Sequence, residues 1–576
     1  MRPFFNVLFA VFFISLSAEG QHFTQIMEGE VVNTPSDSRS VNFVDVNDDG
    51  FPDLFISNGP SGGQNNLLYL NDQQGGFTAV LNDPAVQDGG ASDGVTFADA
   101  DNDGDLDLYV TTWYNTFNHF FEGLGNGDFT EQSSNGTVPT TSFAETASWG
   151  DFDNDGFLDL YVSNSAGNKR NWLFHNEGNG LFTQIDTATV VTEFLSSRSV
   201  QWIDYDLDHD LDLFVSNEGI ARNSLFRNEG NGYLKKITGL AITDDFANSM
   251  GSSWADVDND LDLDLFVANY DQNNQLFLND GTGQFTEVDA GDLTNDGGCS
   301  FGSSFGDFDN DGDLDLVVAN SFCTGDLDNF VYRNLGNGQF ERVDTTAINA
   351  ISGWSFGLAW ADYDQNGFLD LAIANCQNGT QVNSLFRNEG NSNHWLHVDV
   401  VGTISNRSAI GLKIYAKATI NGEERWQFRE ISAQDGYCSQ NSLAIHFGLG
   451  DASQVDSLVL VWPSGIEMIL TNEAVNQRIS IIESGSNAIS SVNLETDWQV
   501  FPNPAKGQIR VTFSQTTGSQ QAIRLWDSNG KQYAHYHLPE GKKELQLDLP
   551  NLVPGWYVLE FQGPGKHDSI PLFIQP

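Results

Sequence analysis

The chain has 576 residues, and its 79 aspartate and glutamate residues far outnumber its 25 lysine and arginine residues, which gives a formal net charge of −54. Such an excess of negative charge repels polyanions, so nucleic acid and anionic membrane surfaces are excluded as expected partners. The composition suits an extracellular medium rich in divalent cations.

The first segment, residues 1–20, is predicted to be a secretory signal peptide. Arg2 precedes the apolar run FFNVLFAVFFISLSA (4–18), and small residues flank Glu19 just before the predicted cut at Gln21. A membrane span is the alternative, but the run is shorter than the ~20 residues that a spanning helix needs. No later segment is long and apolar enough to span. We therefore expect an exported chain without a membrane span, either secreted or held at the outer cell surface.

An acidic nonapeptide recurs seven times within residues 21–393, at intervals of 51 to 55 residues. The copies are DVNDDGFPD from Asp45, DADNDGDLD from Asp99, DFDNDGFLD from Asp151, DYDLDHDLD from Asp204, DVDNDLDLD from Asp256, DFDNDGDLD from Asp307 and DYDQNGFLD from Asp362. Alternating runs such as LDLYVSN follow, with Asn-Gly turns between them, so each unit is predicted to hold four short strands. A four-stranded repeat of about 50 residues is typical of a propeller blade. An open solenoid is the alternative, but its ends would need capping repeats.

The mature N terminus is predicted to close the ring of blades. The seventh unit runs through NSLFRNEGNSNHW (383–395) and lacks the final strand that the other units have. HFTQI (22–26) closely resembles LFTQI (181–185), which is the final strand of the third unit. We expect the N-terminal segment to supply the missing outer strand, as the only contact between the first and last residues of the ring.

The nonapeptide also has the ligand pattern of a calcium loop. Oxygen ligands at positions 1, 3, 5 and 9, a backbone carbonyl at position 7 and a glycine at position 6 suit the six to eight oxygens that Ca²⁺ prefers. An EF-hand is excluded because it needs a glutamate at position 12, where the third copy has Val162 inside a strand. Solvated turns are the alternative for a single copy, but seven copies in register favour up to seven calcium ions. The predicted ligands are Asp45, Asn47, Asp49, Phe51 and Asp53; Asp99, Asp101, Asp103, Asp105 and Asp107; Asp151, Asp153, Asp155, Phe157 and Asp159; Asp204, Asp206, Asp208, Asp210 and Asp212; Asp256, Asp258, Asp260, Asp262 and Asp264; Asp307, Asp309, Asp311, Asp313 and Asp315; and Asp362, Asp364, Asn366, Phe368 and Asp370.

Some copies depart from this pattern. His209 and Leu261 occupy position 6, where glycine would accept a positive φ without strain. Asn47 and Asn366 each replace one carboxylate and are expected to weaken binding. The second, third and sixth copies carry every expected residue.

The repeats resemble the FG-GAP/VCBS repeats of calcium-binding propellers, and the likeness covers roughly residues 21–393. After them, NHWLHVDVVGTISNRSAIGLKI (393–414), DGYCSQNSLAIHFGLG (435–450) and VDSLVLVWPSG (455–465) resemble the ASPIC/UnbV module that follows such repeats in proteins of the cartilage acidic protein 1 type. These resemblances imply an all-β fold: a seven-bladed calcium-binding β-propeller followed by a small β-rich module, residues 394–483. The module's resemblance implies no catalytic residue.

A polar linker, residues 484–497, leads to a C-terminal domain, residues 498–576. Its segments VFPNPAKGQIRV (500–511) and LPNLVPGWYVLEF (549–561) resemble the type A sorting domain of the type IX secretion system. This resemblance implies a C-terminal β-sandwich, a source among Bacteroidota-type bacteria, and the type IX secretion machinery as a partner.

Four cysteines are too few for a disulfide scaffold in a chain of this length. Cys299 and Cys323 flank one acidic loop and are the favoured disulfide pair. Cys376 and Cys438 either pair with each other or stay free.

Two stretches match the nucleophile-elbow pattern G-x-S-x-G, around Ser300 and Ser355. Both serines precede a calcium loop by seven residues, so equivalent positions in two blades explain them without catalysis. We expect no enzyme, but a binding or adhesion protein for an extracellular glycan or protein, because propellers gather loops at the ends of their channel. The alternative is a carbohydrate-active enzyme resembling polysaccharide lyases, or its glycan-binding accessory.

Overall fold

The computed structural model describes residues 23–484 except 179, 231, 323–327, 352 and 377–378, and then 492–493, 498–506, 508–513, 521–527, 531–539, 541–550, 552, 555–563 and 566–574. The predicted signal peptide lies outside these residues, as does most of the predicted linker. Helical structure in the described part is limited to a 3-10 turn (Thr189–Val191) and two short helices, α1 (Ala241–Asp244) and α2 (Asp292–Asn295). Among the described residues we find no helix with the length and apolar character of a membrane span.

Two short strands, β1 (Phe23–Gln25) and β2 (Pro35–Ser36), precede a series of antiparallel sheets that we call blades 1 to 7. Blade 1 contains β3 (Ser38–Val44), β4 (Asp53–Asn58), β5 (Leu67–Asn71) and β6 (Phe77–Val80). Blade 2 contains β7 (Ser92–Ala98), β8 (Asp107–Thr112), β9 (His119–Gly123) and β10 (Phe129–Glu131). Blade 3 contains β11 (Ala144–Gly150), β12 (Asp159–Asn164), β13 (Trp172–Asn176) and β14 (Phe182–Ile185). Blade 4 contains β15 (Ser196–Ile203), β16 (Asp212–Glu218), β17 (Ser224–Asn228) and β18 (Leu234–Ile237).

Blade 5 contains β19 (Ser249–Ala255), β20 (Asp264–Asn269), β21 (Gln275–Leu278) and β22 (Thr286–Val288). Blade 6 contains β23 (Ser300–Gly306), β24 (Asp315–Asn320), β25 (Phe330–Asn334) and β26 (Phe340–Arg342). Blade 7 contains β27 (Ser355–Ala361), β28 (Asp370–Asn375) and β30 (Ser384–Asn388), while β29 (Gln381–Val382) pairs with β2.

The first strand of each blade faces a common channel. The neighbouring first strands contact one another in the order β3, β7, β11, β15, β19, β23 and β27, and β27 contacts β3 again. Second strands such as β12, which reads DLYVSN, are buried along their whole length because both faces pack against other blades. The prediction of an all-β protein made of repeated four-stranded blades is confirmed, and the closed ring excludes the open solenoid.

The predicted outer strand of blade 7 is confirmed. Strand β1 pairs antiparallel with β30, with Phe23 opposite Asn388 and Gln25 opposite Phe386. The expectation that this pairing is the only contact between the first and last residues of the ring was wrong. Strand β2 also pairs with β29, and β27 packs against β3. The closure is therefore shared among several contacts, because side chains of blades 1 and 7 also pack in one core cluster.

The second module has two four-stranded sheets. One has the order β35-β31-β38-β39 and the other the order β33-β32-β36-β37. Its strands are β31 (His394–Val401), β32 (Lys413–Ile420), β33 (Glu423–Glu430), β35 (Ile445–Gly450), β36 (Val455–Val461), β37 (Glu467–Glu473), β38 (Gln477–Ile482) and β39 (Val492–Asn493). Between β33 and β35, the short strand β34 (Ser439–Gln440) leaves the module and joins blade 1 beside β3.

The C-terminal domain has its own core, which includes Ile509, Val511, Ile523, Leu559 and Leu572. Its strands follow the order β43-β42-β45-β46-β40-β41-β44. They are β40 (Trp498–Lys506), β41 (Gln508–Phe513), β42 (Ala522–Asp527), β43 (Gln532–His537), β44 (Glu544–Asp548), β45 (Gly555–Gly563) and β46 (Lys566–Ile574).

Cys299 is disulfide-bonded, while its predicted partner, Cys323, lies outside the described residues. Cys376 and Cys438 are both buried and free. Of the two alternatives for that second pair, the free state is therefore the one observed.

Candidate metal centres and the channel plug

Each acidic nonapeptide connects the first and second strands of its blade, and its first aspartate fixes the shape of the loop. In blade 3 the Asp155 N–H donates to Asp151 Oδ1 at 3.0 Å, and the Gly156 N–H donates to Asp151 Oδ2 at 2.9 Å. The equivalent pair of bonds forms in every other blade, on Asp45, Asp99, Asp204, Asp256, Asp307 and Asp362. The loops are thus preformed by local hydrogen bonds from the side chain at position 1.

The backbone of the loop enters the left-handed region at two positions. Position 6 has the positive φ that was expected there, and His209 (75°) and Leu261 (79°) adopt it despite their side chains. Position 4 also has a positive φ in all seven loops, which the pattern did not predict; these residues are Asp48, Asn102, Asn154, Leu207, Asn259, Asn310 and Gln365. Asparagine, which fills four of these positions, is the non-glycine residue that most readily accepts this conformation, so its recurrence was the available signal.

The residue at position 4 also links successive loops around the ring. Asn310 Nδ2 donates to the Gly367 carbonyl oxygen of blade 7 at 3.0 Å, and Gln365 Nε2 donates to the Gly50 carbonyl oxygen of blade 1 at 2.9 Å. Corresponding bonds start from Asn102, Asn154 and Asn259. Two of their acceptors are the side chains of the position-7 residues Asp210 and Asp313, which were predicted to act through their carbonyl groups.

The aspartate at position 9 begins the second strand and holds an asparagine that joins adjacent blades. Asp315 Oδ1 accepts the Asn334 N–H at 2.8 Å, and Asn334 Nδ2 donates to the Val257 carbonyl oxygen of blade 5 at 2.8 Å. The same two bonds are made by Asn71, Asn176, Asn228, Asn279 and Asn388. The position-9 carboxylates, predicted only as ligands, therefore also serve the packing between blades. The recurrent asparagine in the repeat was the sequence signal for this role.

Position 3 is the part of the loop that fits a cation. In blades 3, 4 and 5 one buried carboxylate oxygen at this position, Oδ1 of Asp153, Asp206 and Asp258, has no hydrogen-bond partner. Ligand atoms of three carboxylates come within 4.8 Å of one another in each of these loops and in the loop of blade 2, where Asp99, Asp101 and Asp107 meet. A buried oxygen without a donor is costly unless a cation or proton satisfies it.

The carboxyl groups are also electrostatically strained. Burial and then the neighbouring Asp159 raise the pKa of Asp151 to about 7, and burial and then Asp208 raise the pKa of Asp206 to about 6. A divalent ion at the centre of each loop would reverse this repulsion. The donor set is mainly carboxylate and carbonyl oxygen, which fits a hard cation.

In some blades a side chain of the third strand changes the charge of the loop. His175 Nδ1 lies 3.0 Å from Asp159 Oδ1, and its Nε2 lies 3.8 Å from Asp153 Oδ2. The hydrogen bond to Asp159 is the largest of the effects that raise the pKa of His175 to about 9. In blade 7, Arg387 Nε lies 4.0 Å from Asp364 Oδ2. The seven loops are therefore alike in backbone but unlike in charge.

Basic residues of the second module reach the acidic loops. Lys413 Nζ lies 2.7 Å from Asp204 Oδ2, Arg407 Nε lies 3.3 Å from Asp99 Oδ2, and Arg425 Nη1 lies 3.5 Å from Asp313 Oδ2. Arg478 Nη1 donates to the Gly50 carbonyl oxygen at 2.8 Å. The module thus sits on the face of the ring that carries the loops. This docking could not be predicted from the sequence, because the partners are more than 100 residues apart.

A loop of the second module fills the channel of the ring from that same face. We call residues 432–442 the plug. It contacts all seven first strands, through Ser439 beside Val41, Gln440 to Phe97, Tyr437 to Glu145, Gly436 to Ser199 and to Ser252, and Asn441 to Ser304 and to Trp360. The fit is close, since a Cβ at Gly357 would lie 2.1 Å from the Cys438 carbonyl oxygen. In the described part of the chain, a cavity remains at the mouth of the channel opposite the acidic loops.

The two serines of the G-x-S-x-G stretches lie in the first strands of blades 6 and 7. Both are fully buried, and their hydroxyl groups donate to Asn320 Oδ1 at 3.2 Å and Asn375 Oδ1 at 2.9 Å. Ser38 makes the equivalent bond to Asn58 in blade 1. These serines occupy equivalent blade positions and lie on strands, away from any strand-to-helix turn.

The fold and the site together define a protein of the β-propeller class, in which repeated blades form a ring and acidic loops that suit a cation lie on one face. The chain belongs to the FG-GAP-like repeat family, which matches residues 45–110, 108–162, 164–215, 204–267, 256–318 and 320–373, together more than half of the chain. The ASPIC and UnbV family matches residues 402–488, and the secretion system C-terminal sorting domain matches residues 499–574. All three resemblances are thereby confirmed. The sorting domain indicates handling by the type IX secretion machinery and export to the cell surface or the extracellular space.

Among curated proteins, the chain is similar to cartilage acidic protein 1. The Mus musculus protein is 27% identical over 281 residues, which are 47% of this chain and 42% of that protein. The Homo sapiens protein is 27% identical over 281 residues, which are 47% of this chain and 41% of that protein. The chain thus spans less than half the length of these relatives. Among solved structures, the Dos1 propeller is 11% identical and covers 62% of this chain and 94% of its own, but its TM-score of 0.34 is too low to carry an argument.

Proposed function

We propose that this protein is a non-catalytic binding or adhesion protein whose ring is stabilised by calcium, and that it acts on an extracellular glycan or protein after type IX secretion. The observation that carries the proposal is the set of unpaired, buried position-3 oxygens of Asp153, Asp206 and Asp258, repeated in register. Calcium is the hard cation that is abundant outside cells and tolerates variable oxygen geometry.

The role of calcium in this proposal is structural. The loops are linked to one another through position 4, as in the bond from Gln365 to Gly50, and to the second module through Lys413 and Arg407. A divalent ion in a loop would offset the repulsion among its carboxylates and so stabilise the ring, while the basic side chains of the module offset part of the negative charge that remains. The far mouth of the channel is left for binding.

The proposal includes no catalysis. The hydroxyl groups of Ser300 and Ser355 are committed to asparagine oxygens in the core. Many carboxyl groups are buried and have a raised pKa, which is also a property of catalytic acids. In the acidic loops, the proposed cation sites account for these groups.

Two measurements test the proposal. Equilibrium dialysis of the secreted protein against calcium, followed by elemental analysis, should find several ions per chain. Binding of the same protein to arrays of glycans and extracellular proteins should be present with calcium and lost with a chelator. A protein that retains no calcium and binds neither array contradicts the proposal.

A further inference from the structure

The open mouth of the channel, opposite the plug, contains a cavity of about 400 Å³. Each first strand ends at an acidic loop, so the beginnings of these strands lie at the opposite mouth. Near the start of each first strand, the residue that follows a serine, or that follows Ala144 in blade 3, lines one shared space, and Tyr437 of the plug lines it as well. The side chains at this position differ from blade to blade and include arginine, acidic, methionine and phenylalanine side chains.

One half of the mouth is charged. Blades 1 to 4 contribute Arg39, Asp93, Glu145 and Arg198. Arg198 Nη1 lies 2.7 Å from Glu145 Oε2, and the Tyr437 hydroxyl donates to the same oxygen at 2.6 Å. Arg198 and Glu145 are thus fully engaged with the protein itself.

The other half of the mouth is aromatic. Phe301 and Phe356 come from blades 6 and 7, with ring centroids 4.9 Å apart, and Phe322 lies 5.2 Å from Phe356. At the rim, Phe322 and Tyr114 are 37% and 40% exposed. Both have a positive φ, of 57° and 62°, which is a strained conformation for a bulky aromatic residue. Strain of this kind is concentrated at functional sites.

Among the described residues, two polar groups in the mouth have unused hydrogen-bonding capacity. Asp93 is only 8% exposed, and its Oδ1 is buried without a partner. Arg39 stacks over the Phe356 ring, with Cζ 4.5 Å from the ring centroid, and its nearest acidic atom, Asp37 Oδ1, lies 3.8 Å away. A ligand that fits here must offer a group that accepts from Arg39 and a group that donates to or accepts from Asp93.

The charge of the mouth favours a neutral ligand. Arg39 and Arg198 repel a cation, and Asp37, Glu145 and Glu218 repel an anion. Burial and then the neighbouring Glu145 raise the pKa of Asp93 to about 8, so this group is largely uncharged at neutral pH. Neutral hydroxyl groups both donate and accept, and the C–H face of a sugar ring packs on aromatic side chains.

We propose that this mouth binds the neutral terminal sugar of an extracellular saccharide, which packs on Phe322 and Phe356 while its hydroxyl groups bond to Arg39 and Asp93. The inference rests on the proposed function and names the ligand class. The cavity lies near the lower end of the ~300–1,000 Å³ typical of ligand pockets, which suits the end of a chain.

The test compares the full secreted protein with two variants, in calcium, on arrays of neutral, uronate-containing and sulfated oligosaccharides. Phe322→Ala removes an exposed aromatic face, and Arg39→Gln removes the stacked donor. Each should weaken binding to neutral saccharides about tenfold or more. Phe194→Ala, a phenylalanine that is 63% exposed outside the cavity, is the matched control and should bind as the parent does.

The outcomes separate the two levels of the proposal. If all variants bind neutral saccharides equally, the proposed site is wrong. If the protein binds only anionic saccharides or only proteins, the proposed ligand class is wrong. The proposed function stands in both cases. A folded, calcium-loaded protein that binds no saccharide and no protein overturns the proposed function with it. Melting curves of each variant show that a loss of binding is not a loss of folding.

Discussion

Phe23, the first described residue, pairs in register with Asn388, the last residue of blade 7. Its ring is 2% exposed and lies 5.6 Å from the Phe308 ring and 6.1 Å from the Trp360 ring. Strand β1 is therefore packed into the core between blades 6 and 7.

Replacing Phe23 with alanine should destabilise the ring by about 3–5 kcal/mol, because it opens a cavity among aromatic side chains. The edge of β30 would also lose a partner and could pair with another chain. Melting and size-exclusion chromatography in calcium measure both effects. Thr24→Ala, at the exposed next position, is the control and should change neither. Unchanged melting of the Phe23 variant would mean that β2 and the other closure contacts suffice.

Removing calcium should lower the melting temperature of the propeller by many degrees. At ~100-fold excess over Kd, each independent site adds about 2.7 kcal/mol to the folded state. Calorimetric scans of the secreted protein with calcium and with EDTA measure the difference, and added magnesium tests the preference for calcium. Identical scans with calcium and with EDTA would contradict the assignment of calcium to the loops.

Asp153→Asn should remove one calcium ion and leave the metal-free protein at least as stable as before. Asp153 Oδ1 has no hydrogen-bond partner, so its charge contributes repulsion when no cation is present. Ion counting and melting in EDTA separate the two effects. Asp186→Asn, an exposed carboxylate outside the acidic loops, should keep the full ion count. An unchanged count in Asp153→Asn means that position 3 is no ligand.

Tyr437→Phe should loosen the plug. The lost hydroxyl donates to Glu145, which is fully buried, and hydrogen bonds to charged groups contribute about 1.5–3 kcal/mol. Melting of the ring measures the loss. Tyr233→Phe, a tyrosine that is 65% exposed, is the control for removal of a hydroxyl group. Equal stability of both variants would show that Arg198 and Ser165 suffice to satisfy Glu145.

Deleting residues 498–576 should stop export while leaving the ring folded. The sorting domain has its own core, so its removal exposes no part of the ring's described core. Immunoblots of medium and cell fractions from a bacterium with type IX secretion measure the location. The Asp153→Asn protein, with its tail intact, should reach the surface or medium. Normal release of the tailless chain contradicts the sorting assignment.

The repeated blade, the loop positions and the outer strand from the N terminus could all be predicted from the sequence. The reason is that each of these features is local or repeated. Alternation along LDLYVSN specifies a strand, the spacing of aspartates specifies a loop held by its own hydrogen bonds, and the likeness of HFTQI to LFTQI identifies equivalent strands.

Only the tertiary structure decided what the ring encloses and what covers its acidic face. The plug, the pairing of Lys413 with Asp204, and the meeting of Arg39, Asp93 and Phe356 at the open mouth join residues that are tens to hundreds of positions apart. No local pattern encodes such contacts, because they depend on the radius of the closed ring and on where the second module docks. Closure brings seven strand starts to one point, and that geometry, rather than any motif, creates the candidate binding site.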